Sequence, residues 1–342
     1  MKKKFDVITV GGATRDITFY TKEGKLIANP ADPTRQKLLG FEYGAKIGIE
    51  KAFFTFGGGA ANTAVCLSRL GLKVAAILRV GSDEDGRAVI RNLARNKIET
   101  KFVQIDKKAK TGFSFIVTFG PAREHTAFLY RGANDNLDLK SQTCLAGRQV
   151  SNLKSDWFYI ASLSGEGWRE VLGKLMEKYP KCCFAWNPGA RQFEAGFLGL
   201  KKYLVKTEIF LVNKDEAIEL VLSLPKYKKM KINWLNKPIN LFKVLIEFGS
   251  KILVITDGKF GAYAFDGKKM YYQKALSKKV VDTTGAGDSF CSSFVAGYIL
   301  YCGNISKSLK LGAVNSAYNL TGIGAQEPLL MRVEAEKRMK NC

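Results

Sequence analysis

The stretch VVDTTGAGDSF, Val280 to Phe290, places two aspartates, Asp282 and Asp288, around a Gly-Ala-Gly turn, and the apolar segment CSSFVAGYIL follows directly. A glycine-rich turn opening a helix lets backbone N–H groups point outward together, and with the helix dipole they form an anion site. Asp288 falls in the first helical turn, beside any anion bound there. A carboxylate repels such a neighbour, so its presence calls for a reason. One reason is chemical: Asp288 can take a proton from a hydroxyl that attacks a phosphoryl group held by the N–H donors. The other is plain helix stability, since acidic residues favour the N-terminal dipole.

Working outward, the segments DWFYIAS, CCFAWN, EIFLVN and KILVIT are short apolar strands, with helical patterns between them starting near Glu166, Arg191, Asp215 and Asn240. Strands alternating with helices predict a doubly wound α/β fold, a mostly parallel sheet flanked by helices. FDVITVGG reads as the first buried strand, and GGGAANTAVCLSRLG opens a helix that Gly71 stops. GAYAFDG and KMYYQKA read as a hairpin, followed by helices near 286–301 and 306–320. The region from Asp16 to Phe56 and the pair TGFSFIVTFG and EHTAFLYRG alternate differently and predict a small antiparallel sheet outside the wound core.

The chain has 342 residues, 46% hydrophobic and 25% charged, which suits one large α/β domain. Seven cysteines without a C-x-x-C pair suggest reduced, buried thiols, and the single His125 has no cysteine at metal-ligand spacing. The basic start MKKKFDVITVGG is too short in apolar residues for a signal peptide, and no apolar run reaches membrane-spanning length. A soluble, cytoplasmic protein is expected. The net charge of +23 is spread over helices and loops, with local clusters at KKYLVK and PKYKKMK. Aromatics do not interleave with it, so nucleic acid is not the expected partner. The strand after Met1 ends in GGATRD rather than G-x-G-x-x-G, and no G-x-x-x-x-G-K-[ST] is present. Those absences argue against a dinucleotide-dependent dehydrogenase and a P-loop enzyme.

DTTGAGDSF resembles the C-terminal signature of the ribokinase-like (phosphofructokinase-B type) carbohydrate kinases, and further elements follow that family in order. FGGGAANTAVCLSRLG resembles the N-terminal signature, VGSDEDG the segment after it, RGAND the central G-A-N element, NKDE the N-x-x-E motif, and VITDGKFGAYAF the strand and loop before the nucleotide site. The resemblance covers nearly the whole sequence and implies a single domain, 1–342, with a β-lid from about 17–55 and 112–131. It implies a kinase using ATP and Mg²⁺, with Asp288 as general base and Gly285, Ala286 and Gly287 as anion hole. Asp16, Gly57, Gly58 and Asn62 would bind the acceptor, and Thr256, Gly258, Gly261 and Asn213 would border the nucleotide. Asn213 and Glu216 would organise Mg²⁺ through water, although the same pair also reads as a helix cap with its capping-box partner. Asp282 and Thr284, with the loop around Gly324, would hold a monovalent cation such as K⁺.

The resemblance leaves the acceptor open: a sugar ranks first, a nucleoside second and a sugar phosphate third. Phe19, Tyr20, Phe128 and Tyr130 are candidates for a nucleobase slot or for lid packing, and Arg131 for an anionic substituent or the lid surface. A homodimer through the lid is a further expectation. A non-catalytic, nucleic-acid-binding or regulatory relative is the alternative from another class. Two departures stand out: Ala60 occupies a common glycine position, and the region from Thr21 to Phe54 is long for a minimal lid.

Overall fold

The computed structural model describes residues 4–29, 37–119, 124–139 and 153–340. The N-terminal part carries β1 (Phe5–Val10), β2 (Thr14–Thr21), β3 (Lys25–Ala28), β4 (Lys37–Gly40), β5 (Lys51–Gly57) and α1 (Gly59–Arg69). Then come β6 (Val74–Ile77), β7 (Arg79–Gly81), α2 (Glu84–Arg95), β8 (Gln104–Asp106), β9 (Phe113–Phe119) and β10 (Glu124–Tyr130). The winding continues through β11 (Ser155–Ile160), α3 (Trp168–Lys178), β12 (Cys183–Trp186), α4 (Ala190–Phe193), α5 (Gly196–Leu204), β13 (Ile209–Asn213) and α6 (Lys214–Leu222). It closes with α7 (Ile232–Leu235), α8 (Pro238–Leu245), β14 (Ile252–Thr256), β15 (Ala262–Phe265), β16 (Met270–Gln273), α9 (Ala286–Leu300), α10 (Ile305–Asn319) and α11 (Arg332–Lys340).

Eight strands form the main sheet in the order β16-β15-β14-β13-β12-β11-β1-β6. From β6 to β14 neighbours run parallel, and the β15–β16 hairpin adds two antiparallel strands at one edge. Both faces are covered, which is why these strands read as unbroken apolar runs. Phe210 and Val212 of β13 pack with α3, α5, α6 and α8, while Ile209 and Leu211 face α1, α9 and α10. The expected strand KVAAILRVG divides at Leu78: β6 stays in the main sheet and β7 pairs with β8.

A second sheet has the order β10-β9-β2-β5. The two segments anticipated as an outer sheet therefore do join, with one parallel pair, β2–β9, at their junction. Cys144 and Cys342 lie outside the described residues; Cys66 and Cys291 are buried, whereas Cys302 is exposed. Among the described residues no helix is long and apolar enough to cross a membrane.

Candidate active site

The predicted site residues gather where the parallel strands end, the edge at which open α/β sheets bind ligands. Asn213 ends β13 and is in register with Thr256 at the end of β14. Gly285 starts α9 at φ +74°, and a Cβ there would meet the Ala325 Cβ at 2.4 Å. Conformation and packing both require glycine at this position. Gly287 is the opposite case: a Cβ there would find no heavy atom within 4 Å, so the backbone faces open space. The Ala286 N–H is drawn to the Thr283 carbonyl at 3.3 Å. The N–H groups of Gly287 and Asp288 follow at the helix start, without an intrahelical acceptor.

Asp288 Oδ2 accepts a hydrogen bond from Asn62 Nδ2 at 2.8 Å, joining α9 to the start of α1. Burial raises its pKa to about 6; the Asn62 bond opposes that rise and the nearby Asp16 carboxylate adds to it. Asn62 Oδ1 accepts in turn from Gln326 Nε2 at 2.9 Å. Two of the positions through which Asn62 was expected to meet the acceptor are thus engaged within the protein, and one amide hydrogen remains.

Asp16, on β2, is 5% exposed. Its Oδ1 accepts from Thr14 Oγ1 and from Ser114 Oγ of β9, each at 2.7 Å, which leaves Oδ2 directed elsewhere. Burial raises its pKa despite those bonds. Gly57 makes room for it: a Cβ at 57 would lie 1.9 Å from Asp16 Oδ2. Gly58, at φ +88°, lets α1 start against the β1–β2 turn, where a Cβ would strike the Ala13 Cα at 2.5 Å. Asn134 of RGAND clamps that turn, with Oδ1 accepting from Ala13 N at 3.0 Å and Nδ2 donating to Ala13 O at 2.9 Å.

Asn213 and Glu216 form a reciprocal capping box on α6: Asn213 Oδ1 accepts from Glu216 N at 2.9 Å, and Glu216 Oε2 from Asn213 N at 2.7 Å. The helix-cap reading of NKDE is therefore realised. The pair also suits a hydrated Mg²⁺, because Glu216 offers a hard oxygen whose pKa burial has raised to about 7, a charge deficit that a cation would relieve. Gly258 has φ +49° and open space around its α-carbon, whereas a Cβ on Gly261 would meet Gln273 O at 2.2 Å. The β14–β15 turn thus requires glycine at 261, while Gly258 has open space on one side. Asp282 is buried and clamps its surroundings: Oδ1 accepts from Thr284 N and Oγ1, and Oδ2 from Gly324 N at 2.9 Å. Ser114 and Gln326 escape sequence reading because each acts only through a partner from another element, whereas Thr14 reaches Asp16 two residues along its own strand.

A family model described as pfkB family carbohydrate kinase matches residues 31–331. An ATP-dependent 6-phosphofructokinase of Thermoanaerobacterium thermosaccharolyticum is 27% identical over 331 residues, covering 94% of this chain and 90% of the relative. A mouse ribokinase is 28% identical over 327 residues, with the same coverage of 94% and 90%. Among solved structures, a Methanocaldococcus jannaschii nucleoside kinase of the ribokinase family superposes with TM-score 0.76 at 23% identity, covering 99% of both proteins. A protein from E. coli solved in complex with ATP and Mg²⁺ gives 0.73 at 17% identity, covering 99% of this chain and 100% of that one.

Proposed function

The chain belongs to the pfkB family of carbohydrate kinases and is a phosphotransferase, and from that premise we propose that it transfers the γ-phosphoryl group of ATP to a hydroxymethyl hydroxyl of a sugar. The observation that carries this reading is the Asp288 carboxylate, tethered by Asn62 at the open N-terminus of α9. A carboxyl group with a pKa of about 6 is ionised at neutral pH yet more basic than a free aspartate. It accepts the proton of the acceptor hydroxyl as that oxygen attacks. The backbone of Gly285, Ala286 and Gly287 and the dipole of α9 balance charge on the phosphoryl oxygens. Asp16, with Gly57, Gly58 and the remaining amide hydrogen of Asn62, positions the sugar hydroxyls. Bound Mg²⁺, held through water by Asn213 and Glu216, would supply positive charge beside the phosphates. Thr256, Gly258 and Gly261 border the base and ribose, and Asp282 with Thr284 is the proposed K⁺ position.

In this reading the outer sheet is a lid over the acceptor that excludes water. Register weighs against the nucleobase slot. Ile17 pairs with Phe54 and Phe115, and Phe115 with Phe128, so these side chains share the face opposite Asp16. Phe19 and Tyr130 stand on that same face, and of the four aromatics considered only Tyr20 is on Asp16's. Phe54, Phe115 and Phe128 are exposed. That apolar face is the one we assign to a homodimer.

The test is ADP release from ATP and Mg²⁺ over pentoses, hexoses, nucleosides and sugar phosphates, wild type beside Asp288→Asn. A sugar that stimulates only the wild type is the expected result. Stimulation by a nucleoside or by a sugar phosphate alone would reassign the acceptor, and failure to bind ATP would overturn the reading.

A further inference from the structure

We infer that the side-chain amides of Asn92, Gln326 and Asn62 form a one-way hydrogen-bond relay that orients the Asp288 carboxylate, with Gln326 as its central positioning residue. The inference rests on the reading of Asp288 as general base. Asn92 Nδ2 of α2 donates to Gln326 Oε1 at 2.7 Å, Gln326 Nε2 donates to Asn62 Oδ1 at 2.9 Å, and Asn62 Nδ2 donates to Asp288 Oδ2 at 2.8 Å. Gln326 is 2% exposed and Asn62 6%, so water does not substitute freely for a missing link.

The direction of the relay follows from its two ends. An ionised carboxylate only accepts and a guanidinium only donates. At the far end Arg69 Nε donates to Asn96 Oδ1 at 3.3 Å, while Asn96 Nδ2 donates to the Asn92 carbonyl at 2.9 Å and to Asn92 Oδ1 at 3.4 Å. Each amide therefore has its oxygen toward Arg69 and its nitrogen toward Asp288. The same Arg69 holds the segment carrying Gln326, with Nη1 donating to the carbonyls of Gln326, Glu327 and Leu329 at 2.7, 3.1 and 2.9 Å. Bonds polarised in one sense reinforce each other. Reversing any amide turns an oxygen toward the next oxygen and finally toward the carboxylate.

Asn92 provides a test from outside the cleft. In Asn92→Asp the new carboxylate cannot donate to Gln326 Oε1. Gln326 turns to satisfy it, Asn62 turns in response, and Asn62 Oδ1 then faces Asp288. Gln326→Leu breaks the relay at its centre. Titratable groups near Asp288 are Asp16 of β2, Glu216 of α6, Cys66 of α1, Tyr159 of β11 and Cys291 of α9. Burial pushes the two thiols and the Tyr159 hydroxyl up, so they stay neutral near pH 7. Asp16 and Glu216 lie outside the relay and are unchanged in the variants but interact electrostatically with Asp288, so each profile is compared as a difference from wild type.

The experiment measures kcat/KM against pH for wild type, Asn92→Asp, Gln326→Leu, their double variant and Asp288→Asn, with the acceptor found above. We expect kcat to fall about tenfold in each relay variant at unchanged KM for ATP, the scale of one hydrogen bond to a charged group. The acidic limb should move upward by roughly one pH unit, and the double variant should be no worse than the worse single one. An acidic limb in Asn92→Asp that superimposes on wild type, with Asp288→Asn inactive, overturns the relay and leaves the kinase reading intact. Near-wild-type turnover in Asp288→Asn overturns both. Should Gln326→Leu fail to fold, the partly exposed Asn92→Asp decides alone.

Discussion

A carboxylate held at a pKa of about 6 costs the folded protein stability at neutral pH, and that cost gives the clearest prediction at the scale of a residue. The folded pKa of Asp288 lies above its ordinary value of 3.8, so between the two the native state binds the proton more tightly than the unfolded state does. Its contribution to stability is therefore most favourable below about pH 4 and is lost as pH rises through 6. Asp288→Asn removes the charge but keeps an acceptor for Asn62. We expect it to be more stable than wild type at pH 8 by on the order of 2 kcal/mol, with the gain vanishing near pH 4. Thermal unfolding at the two pH values checks this. The same variant should bind ATP and lose at least ~100-fold in turnover. Wild-type kcat should fall as pH drops through about 6, since the base is then protonated. Asp288 was legible in the sequence because its motif is local. Gln326 was not: its partners are 234 and 264 residues away along the sequence, and nothing adjacent to GIGAQEP announces them.

At the scale of an element, the decisive piece is the start of α1 against β2. Gly57 ends β5 in contact with Asp16, and Gly58 lets the helix begin without striking Ala13. Gly57→Ala would place a methyl group 1.9 Å from Asp16 Oδ2, so the carboxylate must move. The expected outcome is a KM for the acceptor raised at least ~10-fold with KM for ATP nearly unchanged, because displaced hydrogen-bonding groups discriminate strongly. Initial-rate kinetics with each substrate varied in turn checks it, and equal rises in both constants would indicate general damage. Helices and strands of the wound core follow from periodicity, and α2 from the Asp83 cap, whose side chain accepts from Gly86 N at 2.9 Å. The division of KVAAILRVG between two sheets is not written in its pattern. Val74–Ile77 and Arg79–Gly81 are equally strand-like, and only their partners, β1 and β8, separate them.

At the scale of the whole molecule, the outer sheet carries Asp16 on one face and presents the other, with Phe54, Phe115 and Phe128, to solvent. An apolar sheet face of this kind is expected to pair with a second copy of the protein. Phe115→Glu should convert a dimer to a monomer in light scattering while leaving the monomer folded by circular dichroism. A wild type that is monomeric at micromolar concentration would remove the dimer assignment. The surplus of +23 stays dispersed at this scale; among the described residues some basic side chains are paired locally, as in Arg87 and Arg91 with Glu84 or Arg79 with Asp106 and Asp138, and the surplus is what such pairs leave over.

The sequence by itself determined the α/β winding, the outer sheet and the two glycine-rich turns, because hydrophobic period and glycine placement are properties of neighbouring residues. It also singled out Asp288 and Asp16, which stand beside those turns. Only the tertiary structure decided which distant residues hold these carboxylates: Asn62, backed by Gln326, for one and Ser114 for the other, beside the local Thr14. It also decided which aromatics of the outer sheet stand on the face opposite Asp16. A hydrogen bond between distant elements, or the face a side chain takes in a sheet, depends on register and packing, and these exist only once the protein has folded.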